Sequence, residues 1–267
     1  MLVTAADQPL ARRLVTRLLD EGGEVRAYAA TEVTALRAAG AIVAVGDTDD
    51  EGRLEAALAD VHTVIHVGGG LLAHDATSLV ETAEVVATAA TNAGVRRLIC
   101  LSLPGADPAS SEPLRRAVGQ VEARLAAAPP PSIVIRSGLV DTPAVRDALA
   151  TIGSSESVRA TAVAPVRLTD LLEVVVAFDR ARSQVEHGHL VVAADGPMRM
   201  TLGDYLTTVG VGAPGRGSLV GRRMAAPGRH PLLAGALVDG PWWSDDPVLL
   251  DGWDFAGHAP SPPGPAT

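Results

Sequence analysis

The sequence predicts an α/β fold in which helices cover both faces of a doubly wound parallel sheet. Through the first two-thirds of the chain, short apolar runs of strand length alternate with longer stretches whose apolar residues recur at helical spacing. The short runs are almost continuously apolar, which is typical of strands buried on both faces of a parallel sheet. Because 47% of the 267 residues are hydrophobic, the chain can bury a sizeable core.

Six strands and five intervening helices follow each other in this part of the chain. The strands are predicted at 2–4, 25–28, 42–45, 61–67, 98–101 and 133–135. Most of the helices end at glycine or proline, and they are predicted at 9–19, 32–39, 51–59, 76–93 and 113–128. Because crossovers between parallel strands are right-handed, this alternation favours a Rossmann-like sheet.

The pattern loosens after Arg136, where fewer elements are predicted. They are a helix at 170–181, a strand at 189–193 and a helix that Thr201 could cap, running to 209. Glycine and proline recur every few residues from 210 onward. The chain is therefore divided into three parts. Residues 1–137 form a Rossmann-like core, and residues 138–257 hold the remaining core elements together with a small C-terminal region. Residues 258–267 form a disordered Pro-rich tail.

Charge and residue usage exclude several classes of function. Thirty-one acidic residues against 22 basic ones give a net charge of −9, which argues against nucleic acid as a partner. All 22 basic residues are arginine, so a Schiff-base lysine, a Walker-type phosphate lysine and a Tyr-x-x-x-Lys catalytic pair are excluded. The one cysteine, Cys100, excludes a disulfide framework and is predicted to be a small buried hydrophobic residue.

Neither a membrane segment nor a metal site is predicted. No apolar run reaches the roughly 18 residues of a membrane span, and the N-terminus lacks the order of a signal peptide. His62 and His66 stand four apart on a strand, about 13 Å from one another, which is too far to share one ion. We expect a cytoplasmic protein in which His66 is a hydrogen-bonded residue of the core or the sheet edge.

The order of these segments resembles the NmrA-like group of atypical short-chain dehydrogenase/reductases. The residues that carry the resemblance span about 1–209, in the stretches 3–29, 39–70, 93–108, 132–140, 166–176 and 191–206. The resemblance implies an NAD(P)-binding Rossmann domain with a small C-terminal substrate region. Members of the group include reductases, epimerase-like enzymes and redox-sensing regulators that bind dinucleotide without turning it over.

The glycine-rich turn of this family, TGxxGxxG, is degenerate in this chain. The matching positions are Ala5, Gln8 and Ala11, although glycine normally provides the tight turn and the close approach of pyrophosphate. We expect a left-handed Ala5 to cost about 1 kcal/mol. We also expect Gln8 to occupy the pyrophosphate space and Asp7 to satisfy the helix dipole in place of an anion. NAD(P) binding is therefore predicted to be weak or absent.

Some family positions for the cofactor nevertheless persist. Asp47 matches the acid near adenine, and Gly68, Gly69 and Gly70 match the loop beside the nicotinamide ribose. The backbone amides of 8–10, which are Gln8, Pro9 and Leu10, would face the phosphates. The alternative interpretation of Asp47 is an exposed turn acid, and that of the three glycines is an ordinary flexible loop. The stretch 28–31 offers neither an arginine for a 2′-phosphate nor an acid for a 2′-hydroxyl.

The catalytic pair of the family is missing as well. Aligned on Glu122, the tyrosine and lysine positions are Leu114 and Val118, neither of which transfers a proton. Candidates for a replacement acid are Ser102, His74 and Asp141. Arg136 would orient an anionic substrate in the same crevice, or would form a structural Arg–Asp pair.

Two further patterns concern packing. The helix at 113–128 is predicted to present its charged residues to solvent and to bury a stripe of apolar ones, Leu114, Val118, Val121 and Leu125. Trp242 and Trp243 form the main aromatic concentration, which favours an anchor, either as a lid over the crevice or as a dimer contact.

Three hypotheses for the function follow. The leading one is a non-catalytic relative that senses a small molecule or binds a protein partner, with weak or no nucleotide binding. The second is an NAD(P)-dependent oxidoreductase, epimerase or dehydratase that uses a replacement acid. The third is a structural subunit that forms a homodimer through Trp242 and Trp243.

Overall fold

Seven parallel strands form the central sheet of the computed structural model, which describes residues 1–47, 49–68, 72, 75–153, 155–180, 188–210 and 230–244. The strands of the chain are β1 (Leu2–Val3), β2 (Arg26–Ala29), β3 (Ile42–Val45), β4 (Thr63–His66), β5 (Arg97–Ser102), β6 (Ser132–Ser137), β7 (Val140–Asp141), β8 (Ala162–Val163), β9 (Val166–Arg167), β10 (His189–Ala194) and β11 (Met200–Thr201). The central sheet has the order β10-β6-β5-β4-β1-β2-β3. The predicted doubly wound, Rossmann-like fold is therefore confirmed.

Helices cover both faces of this sheet. They are α1 (Pro9–Asp20), α2 (Thr34–Ala38), α3 (Glu51–Ala57), α4 (Ala76–Asn92), α5 (Pro113–Ala127), α6 (Pro143–Ile152), α7 (Glu156–Ala160), α8 (Leu168–Arg180), α9 (Leu202–Thr208) and α10 (Pro231–Asp239). One core cluster contains the buried residues of α1, α2 and α8, and the other contains those of α3, α4 and α5. Cys100 is buried in the second cluster, as predicted, and burial raises the pKa of its thiol.

The reversal of strand order gives the fold its ligand-binding edge. From β1 the chain adds β2 and β3 on one side, and then adds β4, β5, β6 and β10 on the other. The carboxyl ends of β1 and β4 therefore border the switch point, where open α/β sheets bind their ligands.

Apart from α8 and β10, which belong to the central layers, the elements after β6 form a small region beside the carboxyl edge. Two minor sheets, β8 with β11 and β7 with β9, lie among the short helices. Thr201 caps α9 as predicted, because its hydroxyl accepts a hydrogen bond from the Asp204 N–H at 3.1 Å. The predicted Pro-rich tail at 258–267 lies outside the described residues.

Trp242 anchors this region from the inside. Its side chain is fully buried, and the Arg115 guanidinium lies 5.7 Å from its ring centre. Its backbone N–H donates to the Ala162 carbonyl at 2.8 Å. Trp242 is thus an internal anchor, and the expectation that it serves as a contact between copies is wrong for this residue. For Trp243, the predicted contact in a homodimer stays a prediction.

The predicted solvated face of α5 is also corrected by the structure. Glu112, Arg115 and Glu122 are each 6% exposed and belong to the buried polar residues. They are buried because β6 and the C-terminal elements cover the side of α5 that the charge pattern assigned to water.

No helix among the described residues is both long enough and apolar enough to cross a bilayer.

Candidate functional site

A cleft opens at the carboxyl edge of the sheet, between the ends of β1, β4, β5 and β6. Its volume is about 830 Å³ when the open mouth is included. Its walls are mainly apolar and are formed by Pro9, Leu10, Val67, Leu72, Leu101, Leu103, Val118, Val140, Ala144 and Val145. The polar side chains that line it are those of Gln8, Ser102, Ser137 and Thr142. A mostly apolar cleft with a few polar groups at a switch point is typical of a small-molecule site.

The turn before α1 keeps the shape that glycine normally provides. Ala5 has a φ of 51°, in the left-handed region that favours glycine. The expected cost of this conformation, about 1 kcal/mol, stays a prediction. The Ala6 N–H donates to the Tyr28 carbonyl at 2.9 Å, and the Gln8 N–H donates to the Ala5 carbonyl at 2.8 Å. The turn is therefore fixed by its own backbone and by its neighbour β2.

The N-terminus of α1 is not satisfied by a side chain. Gln8 is the N-cap residue, yet its side chain makes no capping hydrogen bond, and the first turn of the helix contains no acid. The expectation that Asp7, which precedes the N-cap, satisfies the helix dipole stays a prediction. Gln8 is exposed and lines the cleft, whereas Ala11 is fully buried against the sheet. Of the amides predicted to face the phosphates, Pro9 has no N–H and the Gln8 N–H is bonded to the Ala5 carbonyl, which leaves the Leu10 N–H. Together with the helix dipole, this N–H favours an anion at the start of α1.

The loop after β4 begins at Gly68, which lines the cleft. His66 lies beneath it, 2% exposed, with its Nδ1 3.0 Å from the Thr4 hydroxyl. Burial lowers the pKa of His66 to about 4, so the imidazole is neutral near pH 7. His66 is thus the hydrogen-bonded core residue that was predicted. Gly69, Gly70 and His74 lie outside the described residues.

Asp47 follows β3 and is exposed. Its backbone carbonyl accepts a hydrogen bond of 2.8 Å from the Tyr28 hydroxyl, and burial raises the pKa of that phenol. The loop that carries Asp47 is therefore held to β2. This geometry is compatible with the predicted contact to adenine, which stays a prediction.

Ser102 and Arg136 meet at a residue that the sequence analysis did not select, Glu122. The Arg136 guanidinium donates to both carboxylate oxygens of Glu122, through Nε at 2.9 Å and Nη2 at 2.5 Å. The Ser102 hydroxyl donates to Glu122 Oε1 at 2.5 Å. Hydrogen bonding to Glu122 is the main cause that raises the pKa of Arg136. Arg136 is thus engaged in a structural pair, and its side chain does not line the cleft.

Asp141 belongs to a separate cluster. Its carboxylate accepts hydrogen bonds from Arg146 at 2.6 and 2.7 Å and from the Tyr205 hydroxyl at 2.6 Å. The bond from Arg146 is the main cause that lowers the pKa of Asp141, and burial raises the pKa of Tyr205. The predicted Arg136–Asp141 pair is wrong, because Arg146 provides the cation. Asp141 itself does not line the cleft.

The positions aligned with the family's proton-transfer pair are apolar in the structure too. Leu114 is fully buried, and Val118 forms part of the cleft wall. The described residues contain no cluster of three or more His, Cys, Asp or Glu side chains that could hold a metal ion.

The helical pattern of α5 contained the signal that would have identified Glu122. Val118, Glu122 and Leu125 are spaced by four and three residues, so they lie on one face of a helix. Since Val118 and Leu125 were predicted to be buried, Glu122 had to be buried with them. A buried carboxylate requires a cationic partner, and Arg136 at the end of β6 provides it.

Comparison with known proteins agrees with this geometry. A family model described as NAD(P)H-binding matches residues 9–173, beginning immediately after the degenerate turn. No curated protein sequence matches the chain. Solved structures with the same fold include triphenylmethane reductase from Citrobacter sp. complexed with NADP(H), with 18% identity, 90% coverage of each chain and a TM-score of 0.65.

Two other solved structures are similar over most of the chain. The protein gox2253 has 20% identity, covers 91% of this chain and 88% of its own, and has a TM-score of 0.61. MoeE5 in complex with UDP-glucose and NAD has 18% identity, covers 77% and 79%, and has a TM-score of 0.60. At these identities the likeness establishes the fold. The family model, which matches more than half of the chain, shows that this protein belongs to the NAD(P)H-binding family.

Proposed function

We propose that this protein binds NAD(P)H along the carboxyl edge of its sheet and takes a small, mainly apolar molecule in the cleft. The observation that carries the proposal is the uncapped N-terminus of α1, which follows a turn with a left-handed Ala5 and opens on the cleft. A helix N-terminus in this position attracts a diphosphate through its N–H groups and its dipole. Weak nucleotide binding, as the degenerate turn predicts, remains compatible with this arrangement.

Specific residues would contact each part of the dinucleotide. The Leu10 N–H and the dipole of α1 would hold the pyrophosphate, Asp47 would lie beside the adenosine, and Gly68 would allow the chain to approach the nicotinamide ribose. A bound nicotinamide supplies or accepts a hydride. The apolar walls of the cleft would exclude water from that end and receive the second molecule.

Sensing of a small molecule is the activity that the cleft supports best. Leu114 and Val118 provide no proton, and the Ser102 hydroxyl donates its proton to Glu122. A reduction that requires a general acid would therefore have to use the hydroxyl of Ser137 or Thr142, and a serine or threonine hydroxyl is a poor acid near pH 7. As a second candidate, the same cleft permits hydride transfer to an acceptor that needs no proton, such as a resonance-stabilised cation.

The test is a titration of the protein with NADH and with NADPH, followed by cofactor fluorescence. We expect micromolar binding of at least one of them by the natural protein. In Gln8→Asp, the new carboxylate caps α1 and fills the anion site, so affinity should fall at least about tenfold while the thermal stability is kept or raised. Gln120→Asp, the same substitution on the exposed side of α5, is the matched control. No binding of either dinucleotide at millimolar concentration, or equal affinities of Gln8→Asp and the natural protein, would overturn the proposal.

A further inference from the structure

The inner wall of the cleft contains a hydroxyl whose proton has a fixed destination. Ser102 lies at the end of β5, is 8% exposed and lines the cleft. Its Oγ is 2.5 Å from Glu122 Oε1. A serine hydroxyl has one proton to donate and two lone pairs that accept.

Arg136 decides the direction of that hydrogen bond. It donates to both oxygens of Glu122, and its Nη2 also donates to the Ala106 carbonyl at 2.8 Å. Paired in this way, Glu122 is an ionised acceptor with no proton to give. The Ser102 proton must therefore lie between Oγ and Oε1, and the free lone pair of Oγ is the polar feature that this side chain offers to the cleft.

We propose that Ser102 is a permanent hydrogen-bond acceptor, and that the cleft selects apolar molecules which carry an O–H or N–H donor. The inference rests on the second part of the proposed function, that the cleft takes a small molecule. A ligand with an acceptor at this point, such as a carbonyl or an ether oxygen, meets the lone pair of Ser102 and loses a hydrogen bond that it made to water. The Glu122–Arg136 pair acts through Ser102 and does not contact the ligand, so both are positioning residues.

The preference can be measured with two probes that share one apolar body. One probe, 2-naphthol, carries an O–H donor, whereas the other, 2-methoxynaphthalene, has an ether oxygen at the same place and no donor. Since one neutral hydrogen bond contributes about 1 kcal/mol, the natural protein should bind 2-naphthol about fivefold more tightly than the ether. Isothermal titration calorimetry gives both affinities.

Variants separate the acceptor from other effects on the cleft. In Ser102→Ala, the affinity ratio of the two probes should fall to about one, whereas Ser102→Thr, which keeps the hydroxyl, should restore the preference. Glu122→Gln should reduce the ratio as well, because an amide can donate to Ser102 and release its proton toward the cleft. Equal affinities for the two probes in the natural protein, or a preference that persists in Ser102→Ala, would overturn the proposal. So would failure of both probes to bind.

The same titrations distinguish this inference from the proposed function. They are run with the protein alone and with the protein saturated with the dinucleotide that binds. A probe preference in a protein that binds no dinucleotide would overturn the nucleotide proposal and leave the acceptor in place. Dinucleotide binding without a probe preference would overturn the proposal that Ser102 is an acceptor and leave the nucleotide proposal in place.

Discussion

Gly68 lies where the wall of the cleft leaves no room for a side chain. A Cβ built on it would lie 2.5 Å from Nε2 of His66. His66 cannot move away, because it is buried and its Nδ1 is bonded to the Thr4 hydroxyl, which in turn accepts from the Val67 N–H at 3.1 Å. Glycine is thus required at this position by the packing of the loop, whether or not a ligand approaches it.

We expect Gly68→Ala to destabilise the fold by about 1–3 kcal/mol, since overpacking a buried site forces its neighbours out of their positions. Urea unfolding monitored by circular dichroism measures the change. Gly52→Ala is the matched control, because its new Cβ would meet only Asp50 Oδ1 at 3.9 Å and would favour the helix. A stability of Gly68→Ala equal to that of the natural protein would show that the His66 ring can shift.

At the scale of elements, the strands and helices of the sheet could be predicted because each one is specified by local sequence. Apolar runs, helical spacing and helix-ending glycines are contained within a few residues. The partners of α5 could not be predicted in this way. Arg115 donates to the Ala236 and Gly240 carbonyls, more than 100 residues away in the chain. Such contacts are specified by the tertiary structure, and local charge patterning assigned Arg115 to solvent.

The C-terminal region should depend on Trp242 for its attachment to the sheet. Trp242→Ala should cost about 3–5 kcal/mol, because it removes a fully buried indole and leaves a cavity between β8 and α5. Trp243→Ala should cost less, about 1 kcal/mol, since Trp243 is partly exposed and the Arg199 guanidinium lies 4.7 Å from its ring centre at the surface. Urea unfolding of both variants checks the difference. Equal losses of unfolding free energy in the two variants would contradict the conclusion that Trp242 is the internal anchor.

At the scale of the whole molecule, the fold class and the family followed from the sequence, while the state of the nucleotide site did not. Replacing glycine by Ala5 and Gln8 predicted a lost anion site. The structure keeps the turn because its backbone is held by β2, and no side chain caps α1. Backbone conformation at a single residue depends on the surrounding sheet, so residue identity alone could not decide it.

The stability of the molecule should fall between pH 6.5 and about pH 4 because of His66. In the unfolded chain its imidazole takes up a proton near pH 6.5, whereas burial delays protonation of the folded chain to about pH 4. The unfolded state therefore binds more protons in this window, and the free energy of unfolding should decrease by about 3 kcal/mol as the pH falls through it.

His66→Asn removes this titration, so its unfolding free energy should depend less on pH than that of the natural protein. Urea unfolding at pH 7.5, 5.5 and 4.5 gives the comparison. His189→Asn is the control. The residue His189 is exposed, although desolvation lowers the pKa of its ring in the same direction, so this variant should retain most of the pH-dependent loss of stability. The carboxylate of Asp141 contributes below this window, because its pKa is lowered from an ordinary value of 3.8. Parallel pH profiles for His66→Asn and the natural protein would mean that the folded state protonates His66 without losing its packing against Gly68.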